Sequence, residues 1–142
     1  MIELETHSIE INTKGNCQLT DITEQVQSVI TSSRFIEGNV SLFAVGSTTG
    51  ITTIEYEPGL IKDYPAFFEK IIPSNVSYQH DQTWHDGNGH SHLRSALQKT
   101  SFSVPFKNGN LLLGTWQQII FVDFDNRARS RKIIVQIIGK KA

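Results

Sequence analysis

The sequence holds a single cysteine, Cys17, so no disulfide can form within the chain and a disulfide-stapled scaffold is excluded. It also lacks any apolar run near the roughly 20 residues a membrane-spanning helix needs; Ile119 to Val122 is among the longest. Surplus charge is missing as well: 13 Lys and Arg stand against 14 Asp and Glu, a net charge of −1. That balance removes the electrostatic footing for non-specific nucleic-acid binding and turns attention to small molecules. The four prolines fall singly, and no repeat, low-complexity tract or Pro/Ser-rich linker marks a domain boundary. The acidic start Met1 to Glu5 has neither the basic region nor the apolar core of a signal peptide, so the cytoplasm is the expected compartment.

What is present fits one domain over residues 1–142, with 38% hydrophobic residues, an ordinary content for a globular fold. Ile2 and Leu4, then Ile9 and Ile11, alternate with polar residues but slip in parity near His7, which predicts a bulged first strand. Asp21-Ile22-Thr23-Glu24 has capping-box spacing, and Ile22, Val26, Val29 and Ile30 share a helical face before Gly38. Val40 to Val45 and Gly50 to Tyr56 read as strands. Pro65 is expected to open a short helix that Pro73 stops, and a third begins near His90 or Ser91. Phe102, Val104 and Phe106 alternate ahead of Asn108-Gly109, the strongest hairpin signal in the chain. With Leu111 to Phe124 and Arg129 to Ile138 read as strands, the expectation is an α+β domain with two to three helices and a C-terminal three-stranded meander.

Chemistry concentrates in two places. Four of the five histidines, His80, His85, His90 and His92, fall in a short polar stretch, 74 to 89 and just beyond, that lacks periodicity. Neutral imidazole is a common ligand for zinc-type ions and the usual acid-base group near pH 7, with Asp81 and Asp86 at hand as oxygen ligands or ring-orienting partners. A hydrated, His-rich surface loop is the bland alternative. Arg127, Arg129 and Arg131 share parity, so on an extended strand they face one way and can converge on a phosphate, or else simply protect a strand edge. No acid follows them. Gly87-Asn88-Gly89, with Arg94 one turn later, offers a weaker anion site at a helix start. Gly46-Ser47-Thr48-Thr49-Gly50 is hydroxyl-rich but lacks the lysine of a P-loop. Trp116 reads as core, which leaves Gln117 on the opposite face in need of a partner or ligand.

Taken together, these elements resemble the YjbQ family, also described as secondary thiamine-phosphate synthase proteins, over nearly the whole chain. The resemblance rests on Gly114-Thr115-Trp116-Gln117 after the Asn108-Gly109 hairpin, then Asp125, Arg127, Arg129 and Arg131 before Ile137-Ile138-Gly139. Upstream it rests on Thr13, Asp21-Ile22-Thr23, Ser47-Thr48, Glu55, Tyr78-x-His80 and Ser91-His92-Leu93. Many family members carry a histidine where this chain has Gly46, and an asparagine where it has Ile54. If that histidine completes a three-histidine site, His90 or His85 must complete it here.

The resemblance implies a mixed, mainly antiparallel sheet, a homotrimer with the histidine pocket near the subunit boundary, and weak thiamine-phosphate synthase activity. The expected function is therefore a His-dependent enzyme, assisted by a divalent metal (zinc, or magnesium with a diphosphate substrate), acting on a phosphorylated small molecule. His80, His92 and Glu55 are the candidate catalytic residues, and His80, His90 and His92 the candidate metal ligands. Arg127, Arg129, Arg131, Ser47, Thr48, Gln117 and Asn88 are the candidate substrate and phosphate contacts. Two alternatives stand beside it: a non-catalytic trimer that binds a phosphorylated metabolite, and a metal-dependent hydrolase. Neither nucleic acid nor membrane is an expected partner.

Overall fold

The computed structural model describes residues 1–142, in which eight strands and four helices build an α+β fold. Every strand pair is antiparallel, and the strands divide between two sheets instead of forming one mixed sheet. The first sheet has five strands: β1 (Glu3–Thr13), β8 (Arg129–Lys141), β3 (Phe35–Val45), β5 (Ser101–Lys107) and β6 (Asn110–Leu111), in that order. The second has three: β2 (Gln18–Asp21), β7 (Gln118–Asp123) and β4 (Thr49–Ile54).

The main core lies between the sheets. Ile133, Val135 and Ile137 of β8 and Val40, Leu42 and Ala44 of β3 meet Ile119 and Phe121 of β7, with Val26 and Ile30 of α1 (Thr23–Ser32) closing one side. Because side chains alternate along a strand, Ile120 and Val122 of β7 point the other way, into a second core with Phe124, Leu19 and Phe68. Phe68 belongs to α2 (Pro58–Ile71), so β7 is covered on both faces, which is why it reads as a continuous apolar run. No helix is long and apolar enough to cross a membrane.

The local signals explain most boundaries. Asn108 and Gly109 both have positive φ, 52° and 75°, and join β5 to β6 as the two-residue turn their sequence predicts. Asp21 accepts hydrogen bonds from Thr23 N (3.0 Å) and Oγ1 (2.7 Å) to start α1. That helix ends sooner than its pattern suggests, at Ser32, because Arg34 takes a left-handed conformation and Phe35 opens β3.

Four expectations are corrected. β1 pairs with β8 in unbroken register without a bulge; its odd residues face inward, and Leu4 is left on the open face. α2 begins at Pro58, where the Glu57 carboxylate accepts from Gly59 N (2.8 Å) and Leu60 N (2.5 Å), and Pro65 sits inside it. Residues 79–84 form a further helix, α3 (Gln79–Trp84), within the stretch read as loop. The C-terminal meander does not form: β5 and β6 make the hairpin, but β7 pairs with β2 and β4 while β8 pairs with β1 and β3.

The two-sheet arrangement makes the chain cross between sheets six times, three of them through short segments without a helix at one end of β1, β3 and β7. β1 passes to β2 through residues 14–17, β3 to β4 through 46–48, and β7 to β8 through 124–128. Since Thr13 pairs with Arg129 and Val45 with Lys132, these three short crossings lie at one end of the molecule. Most of the candidate site residues collect there.

Candidate functional site

Two of the crossings and two helices enclose an open cleft of about 380 Å³. Gly46, Ser47 and Thr48 come from the β3–β4 crossing, and Asp125, Arg129 and Arg131 from the β7–β8 turn and the start of β8. His80 and Trp84 of α3, Asp86 and Asn88 of the following turn, and His92 of α4 (Gly89–Gln98) complete it. α4 is pinned over the crossings by Ser91 Oγ, which donates to Phe124 O (2.5 Å), and Ser95 Oγ, which donates to Thr49 O (2.6 Å).

Behind the cleft lies a buried charge network. Arg131 donates to both oxygens of Asp123 (2.7 and 3.0 Å) and to Thr48 Oγ1 (2.8 Å), a bidentate grip that fixes the guanidinium plane. Asp123, fully buried, also accepts from the Thr13 hydroxyl. Arg129 donates through Nε to Asp125 (3.0 Å), and Asp125 further accepts from Asn88 Nδ2 (3.2 Å), Thr48 Oγ1 (3.2 Å) and Asn126 N (2.8 Å). Burial alone would raise the Asp125 pKa, but the hydrogen bonds from Asn88 and Asn126 and the charge of Arg129 bring it below the ordinary carboxylate range. The arginines are therefore not an uncompensated cationic strip. Two acids upstream of them offset their charge, while the terminal nitrogens of Arg129 and Nη1 of Arg131 make no hydrogen bond within the chain.

The histidines form a pair, not a trio. His80 and His92 stack with ring centroids 4.3 Å apart and planes 38° apart. Desolvation and the neighbouring His80 depress the His92 pKa, so its neutral form is favoured. His80 Nδ1 is buried without a hydrogen-bond partner and lies 3.8 Å from Asp86 Oδ1. Asn88, 4% exposed, also keeps its Oδ1 unpartnered. Its amide orientation is set by Asp125, which can only accept, so the unused atom is an acceptor.

Of the candidate residues, the cleft thus gathers His80, His92, Ser47, Thr48, Asn88, Arg129 and Arg131. It does not gather the others. His90 is two residues from His92 on one helix, about 200° around its axis, and turns into a separate cavity beside Cys17, Glu69 and Arg94. His85 is the exposed, left-handed residue that ends α3. Neither histidine replaces the family's residue at Gly46; a Cβ there would lie 3.3 Å from Arg131 Nη1, so the arginine fills that space. Glu55 follows the far end of β4, about 20 Å along the strand from Thr48 at the usual rise. Arg127 lies in the exposed turn before β8, so the shared parity extends only to Arg129 and Arg131.

Gln117 does structural work in the exposed loop before β7, accepting from Gly114 N (2.8 Å). Trp116 there is 70% exposed, not core. Arg94, read as an anion contact, is buried and donates to Ile72 O (3.0 and 2.8 Å) and Glu69 (2.8 Å), capping α2. The residues that sequence reasoning missed are Asp123 and Trp84. Asp123 had a signal, a lone acid inside an apolar strand, because such a charge must find a buried partner.

A family model described as UPF0047 protein YjbQ-like matches residues 7–140. A UPF0047 protein of Methanothermobacter thermautotrophicus is 37% identical over 139 residues, covering 98% of this chain and 95% of the relative. Another, of Archaeoglobus fulgidus, is 35% identical over 92% of this chain and 98% of its own length. Among solved structures, a YbjQ-like protein of unknown function from Sulfolobus solfataricus superposes with a TM-score of 0.93 at 29% identity, covering 99% of this chain and 100% of that one. Sequence match and superposition both run through the crossings and helices that enclose the cleft, and on that basis the chain belongs to the YjbQ-like UPF0047 family.

Proposed function

We propose that the cleft binds a phosphorylated small molecule and acts on it as a His-dependent transferase of the thiamine-phosphate synthase type. The observation that carries the reading is the convergence of the stacked His80–His92 pair with two arginines whose orientation is fixed from behind and whose free N–H groups are left for a ligand. Phosphate oxygens would accept from Arg129, Arg131 Nη1 and Ser47, while Thr48, whose one hydroxyl proton goes to Asp125, holds Arg131 in place. In the reaction implied by family likeness, a thiazole phosphate nitrogen attacks the methylene carbon of a pyrimidine methyl diphosphate as the carbon–oxygen bond breaks and pyrophosphate leaves. The arginines would stabilise the negative charge of that leaving group, and the neutral His92 ring would offer it an N–H hydrogen bond.

A divalent ion fits part of this donor set. His80, Asp81 and Asp86 bring potential ligand atoms within 4.8 Å of one another, although both Asp81 oxygens already accept from backbone N–H groups of Tyr78 and Gly89. His80 and Asp86, with the His92 ring adjacent, would hold the ion, which would supply Lewis-acid charge to a diphosphate. His90 has no part in that set.

Calorimetric titration of inorganic phosphate and thiazole phosphate tests binding; Arg129→Lys should weaken it about tenfold, since lysine lacks the planar fork. Incubation with the two substrates, assayed for pyrophosphate release, tests turnover. Binding without release would favour the non-catalytic alternative. That alternative draws support from the His pair, neither of which has a carboxylate within hydrogen-bond distance to orient it. The reading includes a cytoplasmic setting and a homotrimer. Here the support shifts from Ile119–Val122, fully buried within the chain, to the uncovered face of the five-stranded sheet, where Leu4, Phe43 and Ile138 are exposed.

A further inference from the structure

Trp84 is the one large apolar side chain lining an otherwise polar cleft, and it is 71% exposed. Tryptophan is highly buried on average, so so much indole left in water inside a charged cleft calls for an explanation. Slack in the chain does not provide one. α3 is short, but it is tied at both ends: Asp81 accepts from Tyr78 N (3.0 Å) and from Gly89 N (3.0 Å), and Tyr78 OH donates to Pro73 O (2.6 Å). Beyond Trp84, His85 N donates to Asp81 O (2.9 Å), and Asn126 Nδ2 donates to Asp86 O (2.8 Å), tying this turn to the β7–β8 crossing. The backbone that carries the indole is thus fixed at the cleft.

Its place in α3 supplies the next step. Trp84 follows His80 by four residues, so the two side chains share one helix face. His80 in turn stacks on His92 at 4.3 Å. Three flat rings therefore line the same cleft as the two arginines with free N–H groups. A plain phosphate needs only the arginines and the Ser47 hydroxyl.

We infer that the cleft recognises an anionic molecule that also carries a flat heterocycle, with the heterocycle stacked on Trp84 and the anionic group at Arg129 and Arg131. The inference rests on the phosphate-binding reading above and deepens it by giving the ring a contact of its own: sugar phosphates and inorganic phosphate bind through the arginines and Ser47 alone, and anionic heterocycles bind more tightly because they also stack on Trp84. Stacking tolerates any π-face, so the contact selects for flatness and not for one ring.

The test uses two probes alike in phosphate and sugar but not in ring, uridine 5′-monophosphate and ribose 5-phosphate, titrated by calorimetry. A Trp116→Phe background leaves Trp84 as the sole indole of the two in the sequence, so its fluorescence reports the contact. The nucleotide should bind roughly tenfold more tightly than the sugar phosphate, as stacked bases do on aromatic platforms, and should quench Trp84. Trp84→Ala, an exposed substitution that leaves the fold intact, should bring the two affinities together without changing that for ribose 5-phosphate. Equal affinities in the parent, or a preference that survives Trp84→Ala, overturns the stacking inference while leaving the phosphate site standing. Failure of both probes to bind overturns the inference and the phosphate reading together.

Discussion

Arg131 is the residue on which the candidate site depends most. Its side chain is 10% exposed, and its charge is tolerated there only because Asp123 takes two hydrogen bonds from it. Asp123→Asn keeps the shape but removes the charge, leaving Asp125 at 3.4 Å as the only acid near the guanidinium. We expect a loss of about 3 kcal/mol in urea-denaturation stability, the lower end for breaking a buried pair. Thr13→Val, which removes only a hydroxyl donor to the same carboxylate, should cost about 1 kcal/mol. Equal effects of the two would mean that the Arg131 charge is compensated by Asp125 alone. At this scale the sequence told half the story. Alternation placed Arg129 and Arg131 on one face, but their acidic partners sit upstream, across the turn, where a count of downstream charge does not reach. The histidine cluster misled for a similar reason: neighbours in sequence, His90 and His92, are on opposite sides of their helix.

Among the elements, α4 matters because it carries His92 over the cleft while its far side grips α2. The grip is Arg94, whose guanidinium caps the last carbonyl turn of α2 at Ile72 and meets Glu69. Arg94→Met should destabilise the fold by about 2 kcal/mol, since the half-buried Ile72 carbonyl loses its donors while methionine retains the packing. Hydrogen bonds from Ser74 and Arg94 lower the Glu69 pKa from 4.5 to about 2. A depressed carboxylate stabilises the fold above its unfolded value and loses that contribution as protons bind. The protein should accordingly lose stability between about pH 4.5 and pH 2, and Glu69→Gln should flatten that acid limb in thermal scans at stepped pH. The hairpin at Asn108-Gly109 and the position of α1 were legible because they are local, although the capping box expected at Asp21 to Glu24 does not form: Ile22 is the N-cap and the Asp21 carboxylate bonds only Thr23. Strand partnership was not: β7 and β8 follow one another like meander strands, and only tertiary packing assigns them to different sheets. The one available hint was the unbroken apolar run of β7, which signals cover on both faces and so argues against a one-sided meander.

For the molecule as a whole, layering distinguishes the covered surfaces from the open one. Helices and the second sheet cover the inner face of the five-stranded sheet and both faces of β7, but no element packs on the outer face of β1, β8 and β3. Alternation puts Leu4, Phe43, Val45 and Ile138 on that face, and Leu4 pairs directly with Ile138 while Phe43 pairs with the half-buried Ile134. Serine, threonine, asparagine and glutamine fill most of the positions between them, with few charges to oppose contact. Burying three such apolar side chains against a copy of the chain is worth about 1.5–3 kcal/mol each, enough to bias association but dependent on close packing. The proposed homotrimer predicts a threefold mass in light scattering and, on this surface, a contact through this face. Phe43→Asp with Ile138→Asp, both outward-facing, should lower the mass while the far-UV circular dichroism stays unchanged. A threefold mass that survives the double substitution would move the contact to the exposed Leu112 and Trp116 loop, and a wild-type monomer would remove the trimer altogether.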